Sequence, residues 1–240
     1  MNGLREISWP RIIAESVAIV GSILLAFGID ALYESAQEQD LAEQYTQRLV
    51  DELENILTQL EDLDRALSRA IEYGATVEAF FDGVVKPIDY DRVVVAAYNM
   101  GRDSLWAFDQ STYEDLISTG RLGLLADVEQ RESVQRAYRE LQALLPVQRP
   151  FRDEYLAGIR GWIPRRVVDQ IREVCVRMDS PDWICPDVDL DDEVVQSIIG
   201  YISTDEALLS FRLREQGLGY AIDFTGVTRN AVEVALENLR

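Results

Sequence analysis

Hydrophobic residues follow two different patterns along this chain. From 12 to 29 it reads IIAESVAIVGSILLAFGI, with one charge, Glu15, and with Asp30 closing the run. Such a stretch has no polar face. As a helix rising about 1.5 Å per residue it spans roughly 27 Å, near the roughly 30 Å of a bilayer's hydrocarbon core. Ala31, Leu32 and Tyr33 extend the apolar surface, and Trp9 and Tyr33 stand at its two ends as interfacial aromatics. The pattern predicts a transmembrane helix over 12–33. The run admits two other readings: a cleavable leader with Ala26-Phe27-Gly28 as its small-x-small site, and a buried core helix.

Beyond Tyr33 the pattern becomes periodic. Leu49, Leu53, Ile56, Leu60, Leu63, Leu67, Ala70, Gly74, Val77 and Phe81 alternate spacings of four and three. That is the seam of a coiled coil or bundle. No proline falls between 34 and 82, and Gly74 is the only glycine there. The membrane helix is therefore expected to continue into a rod of roughly 70 residues, about 105 Å. Gly74 would allow a kink or a close crossing, and Gly83 and Pro87 end the rod.

Further helices are expected from Asp89 to Phe108, from the capping box Ser111-Thr112-Tyr113-Glu114 to Gly120, and from Asp127 to Leu145. Pro146 and Pro150 bracket a turn, and helix resumes to Arg177 with a break near Gly161 and Pro164. Asp191 or Asp192 caps a helix from Glu193 to Ile202. Ser203-Thr204-Asp205-Glu206 caps the last helix, whose seam reads Leu209, Leu213, Tyr220, Phe224, Val227, Ala231 and Val234. No strand-like alternation of any length appears. The expected fold is all-α: an N-terminal transmembrane helix running into a long helix, then an antiparallel helical bundle with the last helix packed on the first. The expected organisation is a short cytoplasmic stretch at 1–11, the span at 12–33 and an extracytoplasmic bundle at 34–240.

Charge supports this topology. Arg5 and Arg11 precede the run, and every acid except Glu6, Glu15 and Asp30 lies at or beyond residue 34. Positive residues beside a span stay inside, so the N-terminus is expected in the cytoplasm and the bundle outside it. The formal net charge of −20 in 240 residues argues against nucleic-acid binding. There is no histidine, which excludes Ser-His-Asp and Cys-His catalysis and His-ligated zinc.

Within the run, Ala14, Ala18, Ser22 and Ala26 recur every four residues, a small-residue face that lets helices approach; membrane helices are also rich in such residues generally. Glu15 is costly at membrane depth and has two available partners, Arg11 one turn away or a neighbouring helix. Cys175 and Cys185 enclose nine residues and suit either a disulfide in an exported domain or two buried thiols.

Other chemistry is weakly signalled. Asp187, Asp189, Asp191, Asp192 and Glu193 suggest a calcium loop, but Asp192 stands where an EF-hand needs glycine and Ile198 where it needs glutamate. A helix N-terminus accounts for the acids equally well. Lys86, the only lysine, precedes Pro87 and has no serine partner, and Gly217-Leu-Gly219 lacks a third glycine for a phosphate loop. No cofactor is expected.

Two stretches carry a family resemblance. Glu15 with VAIVGSILLAFGID places Gly21, Leu24, Ala26 and Asp30 in one pattern. Ser111-TYEDLISTGRLGLLAD gives a second, with Tyr113, Leu116, Gly120, Leu122 and Asp127, followed by Arg131 and Tyr138. Together, about a fifth of the chain resembles an uncharacterised family of bacterial single-pass membrane proteins. The resemblance implies the anchor and the helical domain and no catalytic residue. Read directly, Tyr113, Leu116 and Ile117 form an apolar face, Gly120 ends the helix, and Asp127 caps the next.

The expected role is a membrane-anchored, non-enzymatic interaction or scaffold protein. Its partners would be the lipid bilayer and a protein partner or a second copy. Two rivals remain: a sensor bundle with a pocket lined by Tyr98, Trp106, Arg160 or Trp162, and a metal-dependent hydrolase using the acidic loop.

Overall fold

The computed structural model describes residues 9–102, 107–125, 127–175, 185 and 188–240, with side chains described from Val20 on except at 145, 147, 148, 151 and 160. Among these residues the fold is all-helical, with no strand. Helix α1 (Trp9–Phe81) is one uninterrupted element of 73 residues, about 110 Å long. Its seam from Leu49 to Val77 is buried as the four–three spacing requires. Gly83 then turns the chain with φ +71°.

Four antiparallel legs make the bundle. α1 rises; α2 (Tyr90–Met100) and α3 (Ser111–Ser118) descend as a split second leg; α4 (Val128–Trp162) rises; and α7 (Asp205–Leu239) descends. Ion pairs set the register of α7 on α1: Glu78 with Arg212, Asp64 with Arg229 and Glu54 with Arg240. At the lower end of α4, the Gln130 side chain donates to the Asn238 carbonyl. Two short helices, α5 (Arg165–Val174) and α6 (Asp192–Ile202), close the upper end. Gly74 does allow a close crossing: a Cβ there would lie 3.3 Å from Met100 Cε on α2.

Several expectations need correction. α2 stops at Met100 rather than Phe108. At Gly101 the chain passes so close to α4 that a Cβ would meet Leu156 at 2.5 Å, so the second leg breaks there. α4 runs through Pro146 and Pro150 with no turn. Each proline removes one helix N–H, at a cost of about 3 kcal/mol in an isolated helix. Both prolines face solvent, where water can take the freed carbonyls, while Leu141, Leu144 and Tyr155 hold the other face in the core. The break at Pro164 is present, between α4 and α5.

The seam of α7 also differs. The buried face is Ala207, Phe211, Arg214, Leu218, Ala221, Thr225, Thr228, Val232, Ala235 and Leu239, again at four and three. Of the expected seam Ala231 is buried, whereas Leu209 is 61% exposed and Tyr220, Val227 and Val234 also face outward. The true register contains one arginine and two threonines. The threonine hydroxyls return to the Ala221 and Phe224 carbonyls, which lets them sit in an apolar seam.

Candidate functional site

The N-terminal part of α1 stands outside the bundle. Val20, Ile23, Leu24, Leu25, Phe27, Ile29, Leu32 and Tyr33 are exposed, from 50% at Ile23 to 74% at Leu32. At 100° per residue these positions surround the helix. A water-facing helix of a globular protein keeps one polar face. Among the described residues nothing covers the segment, so the core-helix reading finds no support there. Among the described residues no helix is long and apolar enough to cross a membrane. Of the apolar run, the described side chains are those from Val20 to Ile29.

Ser22, Ala26 and Asp30 are exposed on this segment. Arg11, Ala14, Glu15 and Ala18 lie on the α1 backbone, and their side chains lie outside those described.

Where the bundle begins, the second resemblance motif forms a polar node. Ser111 is not the cap; it is the first helical residue of α3. The capping group comes from α1. Glu52, 7% exposed, accepts from the Thr112 N–H at 2.7 Å, the Tyr113 N–H at 3.4 Å and the Ser111 hydroxyl at 3.5 Å. The Tyr138 hydroxyl of α4 donates to the same carboxylate. A carboxylate at a helix N-terminus meets both orphan N–H groups and the positive end of the dipole.

The Tyr113 ring stacks on Tyr138 with centroids 4.0 Å apart, and the Tyr45 hydroxyl donates to Asp115 at 2.6 Å. Burial first, and then the bond to Glu52, push the Tyr138 phenol far up from its ordinary value. Leu116 is fully buried. Gly120 follows in the left-handed region at φ +67°, and the Thr119 hydroxyl donates to the Asp115 carbonyl. Leu122 is partly buried in the following 3-10 turn, Arg121–Leu124. Asp127 caps α4 by accepting from the Glu129 N–H, and Arg131 donates to the Leu125 carbonyl. The motif is thus a corner that joins α1, α3 and α4.

A second node lies at the upper end, around the C-terminus of α2. Arg214, 1% exposed, donates through Nε and Nη2 to the Met100 carbonyl, each at 3.2 Å. The Tyr155 hydroxyl donates to the Ala97 carbonyl at 2.7 Å, and burial pushes its phenol up. Buried Asn99 donates to Cys185 Sγ at 3.0 Å. Cys175 and Cys185 are joined as a disulfide, tying the end of α5 to the segment before α6. Arg172 donates to the Tyr98 hydroxyl at 3.0 Å. Burial, and after it the neighbouring Arg172 charge, lower the Arg102 guanidinium.

The remaining candidates separate. Val188 and Leu190 point into the core, and Asp191 caps α6 by accepting from Glu193 and Val194. The alternating aspartates are therefore the outward half of a chain entering a helix. Asp187 lies outside the described residues. Among those described, no three ligating side chains converge to hold a metal ion. Tyr98 is buried on α2, whereas Trp162 is exposed at the end of α4 and stacks on Tyr201, so the two share no lining. Trp106 and the Arg160 side chain lie outside the described residues.

Sequence reasoning missed Glu52, Asn99 and Arg214. Arg214 had a signal: it is the only charge in the four–three register that runs from Ala207 to Leu239. Glu52, beside a seam leucine, had none. Comparison with known proteins finds no matching family, no matching curated sequence and no matching solved structure.

Proposed function

We propose that this protein is anchored in a membrane by the first third of α1, and that it holds an acidic four-legged bundle against one membrane face as a non-enzymatic interaction protein. The observation that carries this reading is the apolar sleeve around α1 from Val20 to Tyr33, exposed on every side and continuous in one helix with a bundle that has its own core. Leaving such a sleeve in water costs roughly 1.5–3 kcal/mol per large side chain relative to burial. A bilayer removes the cost and matches the length of the run. Arg5 and Arg11 before the run and the acids after it favour the bundle on the outer face. The Cys175–Cys185 bridge suits an oxidising compartment. The likeness of the Glu15–Asp30 stretch to bacterial single-pass proteins points the same way. Association of anchors would use the face of Ala14, Ala18, Ser22 and Ala26.

The test is alkaline carbonate extraction of native membranes, with size determination in mild detergent. Wild type should stay in the membrane pellet, and Leu24→Arg/Leu25→Arg should leave it, since each charge at mid-span costs about 2.5–3.5 kcal/mol. Ala18→Leu/Ser22→Leu should stay in the membrane but lose oligomer. Release of wild type into the supernatant refutes the anchor, and a mature chain starting after residue 28 establishes the leader reading in its place.

A further inference from the structure

The bundle does not fill the space around α1 down to the apolar sleeve. Its core ends at Tyr45 and Leu41, while α1 continues alone. In that gap, between α1 and the 3-10 turn that follows α3, lies an open groove of about 760 Å³. Its lower rim is Tyr33, the last residue of the sleeve; its apolar floor is Leu41 and Leu124. Three charges line it: Glu38 and Asp40 from α1, and Arg121 from the turn. The groove thus offers one cation and two anions near apolar side chains, directly beyond the end of the sleeve.

Resting on the anchor reading above, we propose that this groove binds the headgroup of a zwitterionic phospholipid bearing a primary ammonium, namely phosphatidylethanolamine. The height fits. Polar headgroups occupy roughly 5–8 Å beyond the hydrocarbon on each side. Glu38 lies five residues beyond Tyr33, about 7.5 Å along the helix. The charges fit as well. The phosphate would take the Arg121 guanidinium, whose planar fork suits phosphate oxygens. The ammonium would take one of the two carboxylates, Glu38 or Asp40, which stand two residues apart and so on different faces of α1; it would donate N–H bonds that a trimethylated choline cannot make. A net anionic headgroup such as phosphatidylglycerol would bring its phosphate without an ammonium, leaving two carboxylates opposed to it in a domain already strongly acidic. Leu41 and Leu124 would meet the glycerol and the first acyl carbons. The groove would then seat the bundle upright on the membrane, through a turn held in place by the Glu52 node.

The full chain, reconstituted in nanodiscs of equal parts phosphatidylethanolamine, phosphatidylcholine and phosphatidylglycerol, is released into detergent, and the retained lipid is counted by native mass spectrometry. Wild type should retain phosphatidylethanolamine at least threefold over either competitor. Arg121→Ala should lower retention of all three lipids, and Arg121→Lys should restore most of it. Glu38→Gln/Asp40→Asn should abolish the preference for ethanolamine over choline while leaving retention as such. Equal retention of the three lipids by wild type, or an unchanged profile in Arg121→Ala, overturns the site. Carbonate extraction of the same proteins separates the two readings. A chain that stays in the membrane without lipid preference refutes only the groove, whereas a chain that washes off refutes the anchor and the groove together.

Discussion

The split second leg of the bundle has two inner ends, and they are handled with opposite charges. α2 ends at Met100 inside the molecule, leaving carbonyls without helix partners; Arg214 reaches in from α7 to meet one of them. α3 begins at Ser111, leaving N–H groups without partners; Glu52 reaches in from α1 to meet those. In each case a charged side chain of a long helix opposes the partial charge that a short helix exposes. A broken leg would otherwise bury orphan backbone groups, each worth about 1–3 kcal/mol when unsatisfied. The two long helices therefore do more than supply apolar surface: each carries one buried charge at the height where the second leg fails.

The two ends should not be equally fragile. Glu52→Ala strands two backbone N–H groups and the Tyr138 hydroxyl together, and buried N–H groups without partners are rare in folded proteins. We expect a loss of about 3 kcal/mol in urea unfolding of the full chain in mild detergent. Arg214→Met keeps much of the volume, removes a desolvated charge, and strands mainly one carbonyl. A loss of about 2 kcal/mol is expected. Glu78, paired with Arg212, lies 26 residues along α1 from Glu52, about 39 Å. The double variant should therefore be additive to within about 0.5 kcal/mol. A larger cost for Arg214→Met than for Glu52→Ala would reverse the ranking, and strong non-additivity would show that the ends act as one network.

What the sequence made legible follows from how local each signal is. The seam from Leu49 to Val77 was readable because one apolar face at a constant spacing has one solution. The cap at Asp127, and a cap for α7 within Ser203-Thr204-Asp205-Glu206, were readable because a capping side chain serves its own helix. The Glu52 cap was not, because the carboxylate lies 60 residues from the N–H it meets. Ser111 and Glu114 show a local capping box, and a tertiary group displaces it. The α7 seam was misread because hydrophobicity was given priority over register. Leu209, Tyr220, Val227 and Val234 are more apolar than Arg214, Thr225 and Thr228, yet the latter face inward, since each has a backbone acceptor there. The prolines of α4 misled for a related reason: a long packed face outweighs two missing hydrogen bonds on the exposed side.

Each end also buries a tyrosine, and the pair gives the comparison a pH axis. Tyr138 donates to Glu52, and Tyr155 donates to the α2 carbonyl at Ala97; burial raises both phenols. The folded protein holds these protons above the pH, near 10, at which an unfolded tyrosine loses its own. Above that pH the unfolded chain binds fewer protons, so stability is full below about pH 10 and falls as pH rises through and beyond it. The slope approaches about 1.4 kcal/mol per pH unit for each buried phenol. Tyr155→Phe should lose about 1 kcal/mol at pH 8 from its hydrogen bond and should unfold with a shallower alkaline slope between pH 10 and 11. An unchanged slope would mean that Tyr155 ionises normally in the folded chain.

The smallest effect sharpens the comparison most, because α3 has a second end. Its C-terminus, like that of α2, leaves carbonyls outside the regular helix pattern, yet no arginine among the described residues is seen to donate to them. Ser118, Thr119 and Gly120 are exposed, and the turn closes locally: the Thr119 N–H reaches the Asp115 carbonyl and the Gly120 N–H the Ile117 carbonyl. Burial, then, rather than helix polarity alone, decides whether an end receives a charge. At the exposed end the conformation of Gly120 at φ +67° carries the turn, a region that costs an L-residue about 1–2 kcal/mol. Gly120→Ala should therefore lose about 1 kcal/mol in the same urea measurement. Gly123→Ala, in the same turn with open space for a Cβ and without a positive φ, should be within about 0.5 kcal/mol of wild type. Equal losses at 120 and 123 would mean that the turn is held by its contacts with α1 and not by its backbone, and the local account of this end would fail.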